Sequence, residues 1–315
     1  MNLNQLSYIV EVEKQKSFST AAQKLNITQS AISQQIQKLE KEIGFPVFDR
    51  LSKPILPTIA GLSFISKAKE VLLNIDQLKE HALTLQDEVK GILTIGMIPT
   101  LAPYLTPLFI NDLTETHPDI KLKIIELKTT EIIEALANRE INAGILSTPI
   151  NTRIKLEKQT LFYEKFLIYI SDQHHLFDNQ ELNLKNILKE EIWLLNEGNC
   201  FSDQVDNICK KNINRVSNFE YLSNSIDALI RIVGHKGGLT FLPELATINI
   251  PSEQEEMVKK IKGPERVREI SLLYSKGEPT IKLIERLCEC ITKNIPKSMR
   301  EKRNRILIDA NIQGQ

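Results

Sequence analysis

The chain has 315 residues, 42% of them hydrophobic and 25% charged, with 40 Lys and Arg balanced by 40 Asp and Glu. That length is enough for about two domains with cores of their own, and the composition excludes collagen-like, low-complexity and largely disordered chains. A net charge of zero excludes a global basic field that would coat nucleic acid, though not a small module that reads it. No apolar stretch approaches the roughly 18 residues that cross a bilayer, and the opening residues lack a basic stretch followed by an unbroken apolar run. A cytoplasmic protein with no membrane partner is expected. Four cysteines are too few for a disulfide framework, so free thiols are their default state in a reducing compartment.

Residues 1 to about 57 read as helix and turn. Leu3, Leu6, Ile9 and Val10 recur at helical spacing, and Ser19 or Thr20 offers a cap for a short second helix. Thr28 caps a third helix running to about Ile43, with Ile32, Ile36, Leu39 and Ile43 as its buried stripe and Gly44 as a left-handed stop. The exposed face of that helix offers Gln29, Ser30, Ser33 and Gln34, side chains of the kind that hydrogen-bond base edges in the major groove. Lys38, Arg50 and Lys53 are placed to meet phosphate, and a small β-wing follows from Phe45. From about Thr58 to Lys90 one long helix is predicted. Its Phe64, Ala68, Val71, Ile75, Leu78, Ala82 and Leu85 alternate in steps of four and three, a coiled-coil spacing. Such a helix either lies on its own domain or, as its position between two domains favours, joins two copies through Phe64, Val71, Ile75 and Leu78.

After Lys90 strands and helices alternate. Strands are predicted at 91–97, 120–127, 143–146, 166–171, 192–195, 219–222, 239–242 and 270–274; helices at 101–117, 130–138, from 226, and at 281–294. This alternation predicts α/β architecture with largely parallel sheets and ligand sites at the carboxyl ends of strands. About 200 residues are many for one sheet, so two lobes with a cleft between them are expected. The polar, basic segment after Pro296 reads as a frayed tail.

One short run carries candidate chemistry: Cys200-Phe201-Ser202-Asp203-Gln204, ending at Cys209. Buried structural thiols are the ordinary fate of free cysteine. The placement also suits a reactive thiol, because Cys200 follows a Gly198-Asn199 turn and opens a helix whose unpaired N–H groups favour a thiolate. Cys288 and Cys290 face different directions on a helix, and the cysteine spacings fit zinc poorly. The five histidines, including His174 and His175, form no metal-ligand pattern, and there is neither a phosphate loop nor a nucleophile elbow. No metal, no cofactor and no enzymatic activity are expected.

The run from Phe18 to Glu40, together with Gly44-Phe45-Pro46-Val47-Phe48-Asp49-Arg50 and Pro57-Thr58-Ile59-Ala60-Gly61, resembles LysR-type transcriptional regulators. The resemblance implies a winged helix-turn-helix DNA-binding domain at 1–57 and a linker dimerisation helix at 58–89. It also implies a regulatory domain at 90–298, followed by a polar tail at 299–315. That domain would be α/β, with two Rossmann-like lobes as in periplasmic binding proteins: lobe I about 90–163 and 268–298, lobe II about 164–267. Promoter DNA, a homotetramer built as a dimer of dimers, and RNA polymerase are the implied partners. The cysteine run, with Ile98-Pro99-Thr100, Pro103-Tyr104-Leu105 and Gly237-Gly238-Leu239-Thr240-Phe241-Leu242-Pro243, resembles the peroxide-responsive OxyR branch. This implies a peroxidatic Cys200, a resolving Cys209, a reversible disulfide between them, and control of oxidative-stress genes. Thr100, Thr129, Asp203 and Arg268 would line the peroxide pocket. The branch usually has a histidine before the reactive cysteine and an arginine two residues after it; Asn199 and Ser202 stand there instead. The alternative within the family is a regulator answering a small metabolite in the inter-lobe cleft.

Overall fold

A capping box starts the first helix: the Gln5 N–H donates to Asn2 Oδ1 and the Asn2 N–H donates to Gln5 Oε1, both at 3.0 Å. In the computed structural model, which describes residues 1–84, 89–195, 200–209, 214–215, 225–302 and 304–309, this helix is α1 (Leu3–Gln15). Helix α2 (Phe18–Lys24) is capped by Ser17, whose Oγ accepts the Thr20 N–H, rather than by Ser19 or Thr20. Phe18 is already helical and buried, which moves the start of the helix upstream. Helix α3 (Gln29–Ile43) runs from Thr28, which accepts the Ala31 N–H, to Gly44 at φ 84°. Ile32, Ile36 and Leu39 are fully buried and join Leu6, Ile9, Ala21 and Phe48 in one core, with Ile43 at its margin.

The wing is a two-residue pairing of β1 (Phe48–Asp49) with β2 (Leu56–Pro57). Helix α4 (Ile59–Thr84) then packs its first turn on the wing backbone; a Cβ at Gly61 would lie 2.0 Å from the Val47 carbonyl oxygen, so only glycine fits. Ile65 and Ala68 join the core, and the Phe64 ring meets Phe45 edge-on at 5.8 Å. Further along, Val71 is 43% and Leu78 67% exposed.

The chain divides after Gln86 into two compact units. In chain order the second holds β3 (Gly91–Met97), α5 (Ala102–Thr116), β4 (Ile120–Glu126), α6 (Thr129–Ala137), β5 (Ala143–Thr148) and β6 (Leu156–Ile170). These are followed by β7 (Glu181–Leu182), α7 (Leu184–Ile187), β8 (Glu191–Trp193), α8 (Cys200–Ile208), β9 (Asn214–Arg215) and α9 (Ile226–Lys236). It ends with β10 (Leu239–Pro243), β11 (Val258–Ile261), β12 (Arg266–Ser275), α10 (Ile281–Asn294) and β13 (Ile306–Leu307). Strand order is β4-β3-β5-β12-β6-β10-β8-β9. Strand β3 is parallel to β4 and β5, and β10 to β8, but β12 is antiparallel to both β5 and β6, and β10 is antiparallel to β6. The sheet is therefore mixed, not largely parallel. The cause is β6, which runs unbroken long enough to serve two neighbours: Leu156 to Lys165 pair with β12, and Phe166 to Ile170 pair with β10.

That strand carries the chain between two separate cores. One, lobe I, contains Leu93, Ile95, Phe109, Ile145, Phe162, Ile270 and Leu287. The other, lobe II, contains Ile168, Ile170, Ile192, Val205, Val233 and Phe241. The segment after Pro296 does not fray at once: Met299 is buried, β13 pairs parallel with β12, and Ile308 packs against the second core. The strand expected at 219–222, Leu85 and Asn199 lie outside the described residues. Among the described residues no helix is long and apolar enough to cross a membrane.

Candidate functional site

Helix α8 opens on Cys200, and the Cys209 N–H still donates to the Val205 carbonyl at 2.9 Å, so both cysteines belong to one continuous helical run. Both are free thiols, 4% and 0% exposed. Nine residues at about 1.5 Å each separate them by roughly 13–14 Å along the axis, and nine steps of about 100° turn them to opposite faces. Cys200 packs into the core of lobe I, while Phe201, Val205, Ile208 and Cys209 pack into that of lobe II. The helix thus straddles the seam. Phe201 stacks on Phe166 at 5.3 Å, and Ser202 Oγ donates to the Leu195 carbonyl at 3.0 Å. Gln204 Nε2 donates to Ser147 Oγ at 3.0 Å and to the Ile308 carbonyl at 2.7 Å; Asn207 Nδ2 donates to the Asp309 carbonyl at 2.7 Å.

A buried charge stands beside this seam. The register of β12 on β6 sets Arg268 opposite Glu164, and both are fully buried. Arg268 Nε and Nη2 each lie 2.7 Å from Glu164 Oε1, Nη1 donates to Thr100 Oγ1 at 3.0 Å, and the guanidinium sits 5.0 Å from the centre of the Phe201 ring. Thr129 begins α6; its hydroxyl is buried without a hydrogen-bond partner and lies where it favours a Cys200 thiolate. Burial pushes the Cys200 thiol up, opposed chiefly by the Arg268 charge and then by Thr129, while Asp203, half-buried, adds to the rise. Burial pushes Cys209 up to about 12, with Asp206 adding and Arg266 opposing. Burial thus raises both thiols, and each has a cation that opposes the rise, Arg268 for Cys200 and Arg266 for Cys209.

Arg268 and Thr129 therefore lie beside Cys200, with Asp203 on the same helix, and Thr100 is linked to them through its hydrogen bonds to Arg268. Glu164 is the residue that sequence reasoning missed. Its signal is present in the chain: Phe162, Glu164, Phe166 and Ile168 alternate on one buried face, so a carboxylate occupies a core position. Cys288 and Cys290 are buried on α10 in lobe I's core. His174, His175 and Glu190, whose spacing shows no ligand pattern, gather so that their ligand atoms all lie within 4.8 Å of one another. His174 Nδ1 accepts the Leu176 N–H, which leaves its proton on Nε2, facing Glu190 at 3.4 Å. That tautomer makes a histidine–carboxylate contact, not a preformed metal site.

Two further features bear on binding. On α3, Gln29, Ser30, Gln34 and Lys38 are exposed, as is Lys53 beyond it. Ser33 is half-buried because Arg50 Nη1 donates to its Oγ at 3.1 Å; Arg50 also pairs with Glu40 at 3.0 Å and covers the Phe18 ring. Between the two lobes lies a cleft of about 450 Å³, lined by Pro99, Tyr104, Glu126, Lys128, Ser225 and Asp227. The Tyr104 hydroxyl donates to Asp227 Oδ1 across it at 2.9 Å.

Residues 3–62 match the family of bacterial regulatory helix-turn-helix proteins of the lysR type, and residues 86–296 match the LysR substrate binding domain. A hydrogen peroxide-inducible genes activator of Haemophilus influenzae is 30% identical over 94% of this chain and 97% of its own. The DNA-binding transcriptional dual regulator OxyR of Escherichia coli is 30% identical over 92% of this chain and 95% of its own. Among solved structures, OxyR from Porphyromonas gingivalis superposes with a TM-score of 0.63 at 29% identity, covering 70% of this chain and all of that one. A full-length OxyR variant from Pseudomonas aeruginosa shares the fold over 94% of this chain and 99% of its own, with a TM-score of 0.73 at 24% identity.

Proposed function

Since the chain belongs to the LysR family of transcriptional regulators, with promoter DNA as the partner of its helix-turn-helix domain, we propose that it senses hydrogen peroxide through a reversible Cys200–Cys209 disulfide and controls oxidative-stress genes. The observation that carries this reading is a buried thiol pair on one helix, split between two lobe cores, with Arg268, held by Thr100, and Thr129 beside Cys200. The peroxide-inducible activators among its relatives support the same signal.

In the proposed chemistry the Cys200 thiolate attacks one peroxide oxygen. The O–O bond breaks, sulfur is oxidised to a sulfenic acid, and the other oxygen leaves as hydroxide, taking a proton to become water. The Cys209 sulfur then attacks the sulfenic sulfur, the S–S bond forms, and the hydroxyl leaves as a second water. Residues 1–57 are the proposed DNA reader, 58–89 the dimerisation helix and 90–298 the regulatory domain, assembled as a dimer of dimers that acts on RNA polymerase. The metabolite reading draws on the charged inter-lobe cleft.

Thiol mapping by mass spectrometry separates the two. One equivalent of peroxide should yield a Cys200–Cys209 linked peptide and leave Cys288 and Cys290 alkylatable. Free thiols at both Cys200 and Cys209 after treatment would leave the metabolite reading standing. For DNA, a Gln29→Ala, Ser33→Ala, Gln34→Ala variant should lose on the order of 1–3 kcal/mol for each good base contact. Fluorescence anisotropy on a target promoter checks this; unchanged affinity would remove α3 from the groove.

A further inference from the structure

The seam beside Cys200 holds a buried carboxylate that this chemistry does not use. Glu164 is fully buried, yet its two oxygens are completely assigned: Oε1 accepts from Arg268 Nε and Nη2, both at 2.7 Å, and Oε2 accepts the Leu245 N–H at 3.1 Å. Arg268 is fixed on its other sides by Thr100, through Oγ1 at 3.0 Å and the carbonyl at 3.3 Å, and by the face of Phe201, the residue next to Cys200. We propose that Glu164 is a positioning residue for the thiol: it locks Arg268 in the seam and offsets its charge, so that the Cys200 sulfur feels only part of it. This rests on Cys200 being the peroxide-reactive group.

A cation stabilises a nearby thiolate in proportion to its unshielded charge, and a carboxylate in direct contact removes much of that field at a third point. The sulfur is faced by Arg268, by Asp203 on its own helix, and by the Thr129 hydroxyl. Glu164 in turn is faced by Arg268, by Glu244 and by the Leu245 N–H. Burial pushes the Glu164 carboxyl up and the guanidinium opposes it. Glu164 therefore acts as a brake. It keeps the resting sensor protonated and raises the peroxide level needed to trip it, while its grip keeps the cation in place for the moment the thiolate forms.

The test is the pH profile of Cys200 alkylation by iodoacetamide, read peptide by peptide on the full-length protein. Glu164→Gln keeps an acceptor for Arg268 but removes the charge. Its profile should move to lower pH, and the rate at pH 7 should rise on the order of tenfold if the midpoint falls by about one pH unit. Glu164→Asp should return the profile toward that of the wild type. Leaving Arg268 unpaired in the interior endangers folding. If Glu164→Gln fails to fold, the Arg268→Gln, Glu164→Gln double variant carries the test, because removing the cation together with the charge that offsets it should leave the profile near that of the wild type. An unchanged profile in Glu164→Gln, one displaced to higher pH, or a double variant displaced to higher pH by more than about one unit, overturns the proposal. Alkylation involves no peroxide, so a displaced profile in a protein that forms no disulfide would overturn the peroxide reading and leave Glu164's role intact.

Discussion

One equivalent of hydrogen peroxide should abolish amide protection across residues 200–209, and Cys200→Ser protein should show no such change. The expectation follows from geometry: a disulfide needs Cα atoms within about 7 Å, whereas α8 holds its cysteines roughly 13–14 Å apart and on opposite faces. The bond and the helix cannot coexist. Breaking the helix withdraws Phe201 from its stack on Phe166 and takes Val205 and Ile208 out of lobe II's core, about 1.5–3 kcal/mol for each side chain. It also costs the Gln204 contacts to Ser147 and the Ile308 carbonyl. Without a covalent bond to offset that loss the helix persists, so the proposed switch would have two exclusive states. Cys209→Ser should retain a sulfenic acid at Cys200 that dimedone traps. Hydrogen exchange followed by mass spectrometry reads the change. Protection unaltered by peroxide, or altered equally in Cys200→Ser, would rule the mechanism out.

Replacing Val71 and Ile75 with Asp should convert the protein to monomer or aggregate and abolish promoter binding. Phe64, Ile65 and Ala68 on α4 are engaged by their own domain, but Val71 and Leu78 are 43% and 67% exposed in the single chain and Ile75 is half-buried. In the proposed dimer a second copy of the helix would cover this open apolar row. Two carboxylates placed in that interface would be buried without partners, at a cost of several kcal/mol. Sedimentation velocity and anisotropy check the two halves of the prediction. A variant that remains oligomeric and still binds would place the interface elsewhere.

Legibility in the sequence differs from element to element. Helix α10 is predicted over 281–294, its observed extent, because a 3.6-residue apolar period needs no distant partner. The Thr28 cap and the Gly44 stop are equally local signals. The first half of β6 escapes: Glu157, Lys158, Gln159 and Thr160 are exposed and read as loop, and only pairing with β12, more than a hundred residues on, makes them a strand. The same holds for Arg266-Val267-Arg268-Glu269, a charged run that is mostly buried because Arg268 and Glu269 meet Glu164 and Lys158 from a distant strand segment. At the candidate site the thiol run is legible, and Thr100, Thr129 and Arg268 come from the resemblance. The Glu164 counter-charge and the grip of Arg50 on Ser33 depend on register and tertiary contact, which no local pattern encodes.

The return of the chain through β13 to reach α8 has a consequence for biosynthesis. Gln204 and the Ile308 carbonyl that holds it are 104 residues apart, as are Glu164 and Arg268. At about 5–20 residues per second of translation, each pair is separated by roughly 5–20 s of synthesis. A nascent chain therefore carries Cys200 and Cys209 for seconds before Arg268 or the Ile308 and Asp309 carbonyls exist. During that interval α8 can rely only on its own hydrogen bonds and on partners already made, such as Phe166 and Leu195, so the arrangement that keeps the two thiols apart is weaker than in the finished protein. If the proposed disulfide forms, newly made protein should be most exposed to premature cross-linking while still on the ribosome, and under oxidant stress the fraction cross-linked before folding should rise with the duration of translation.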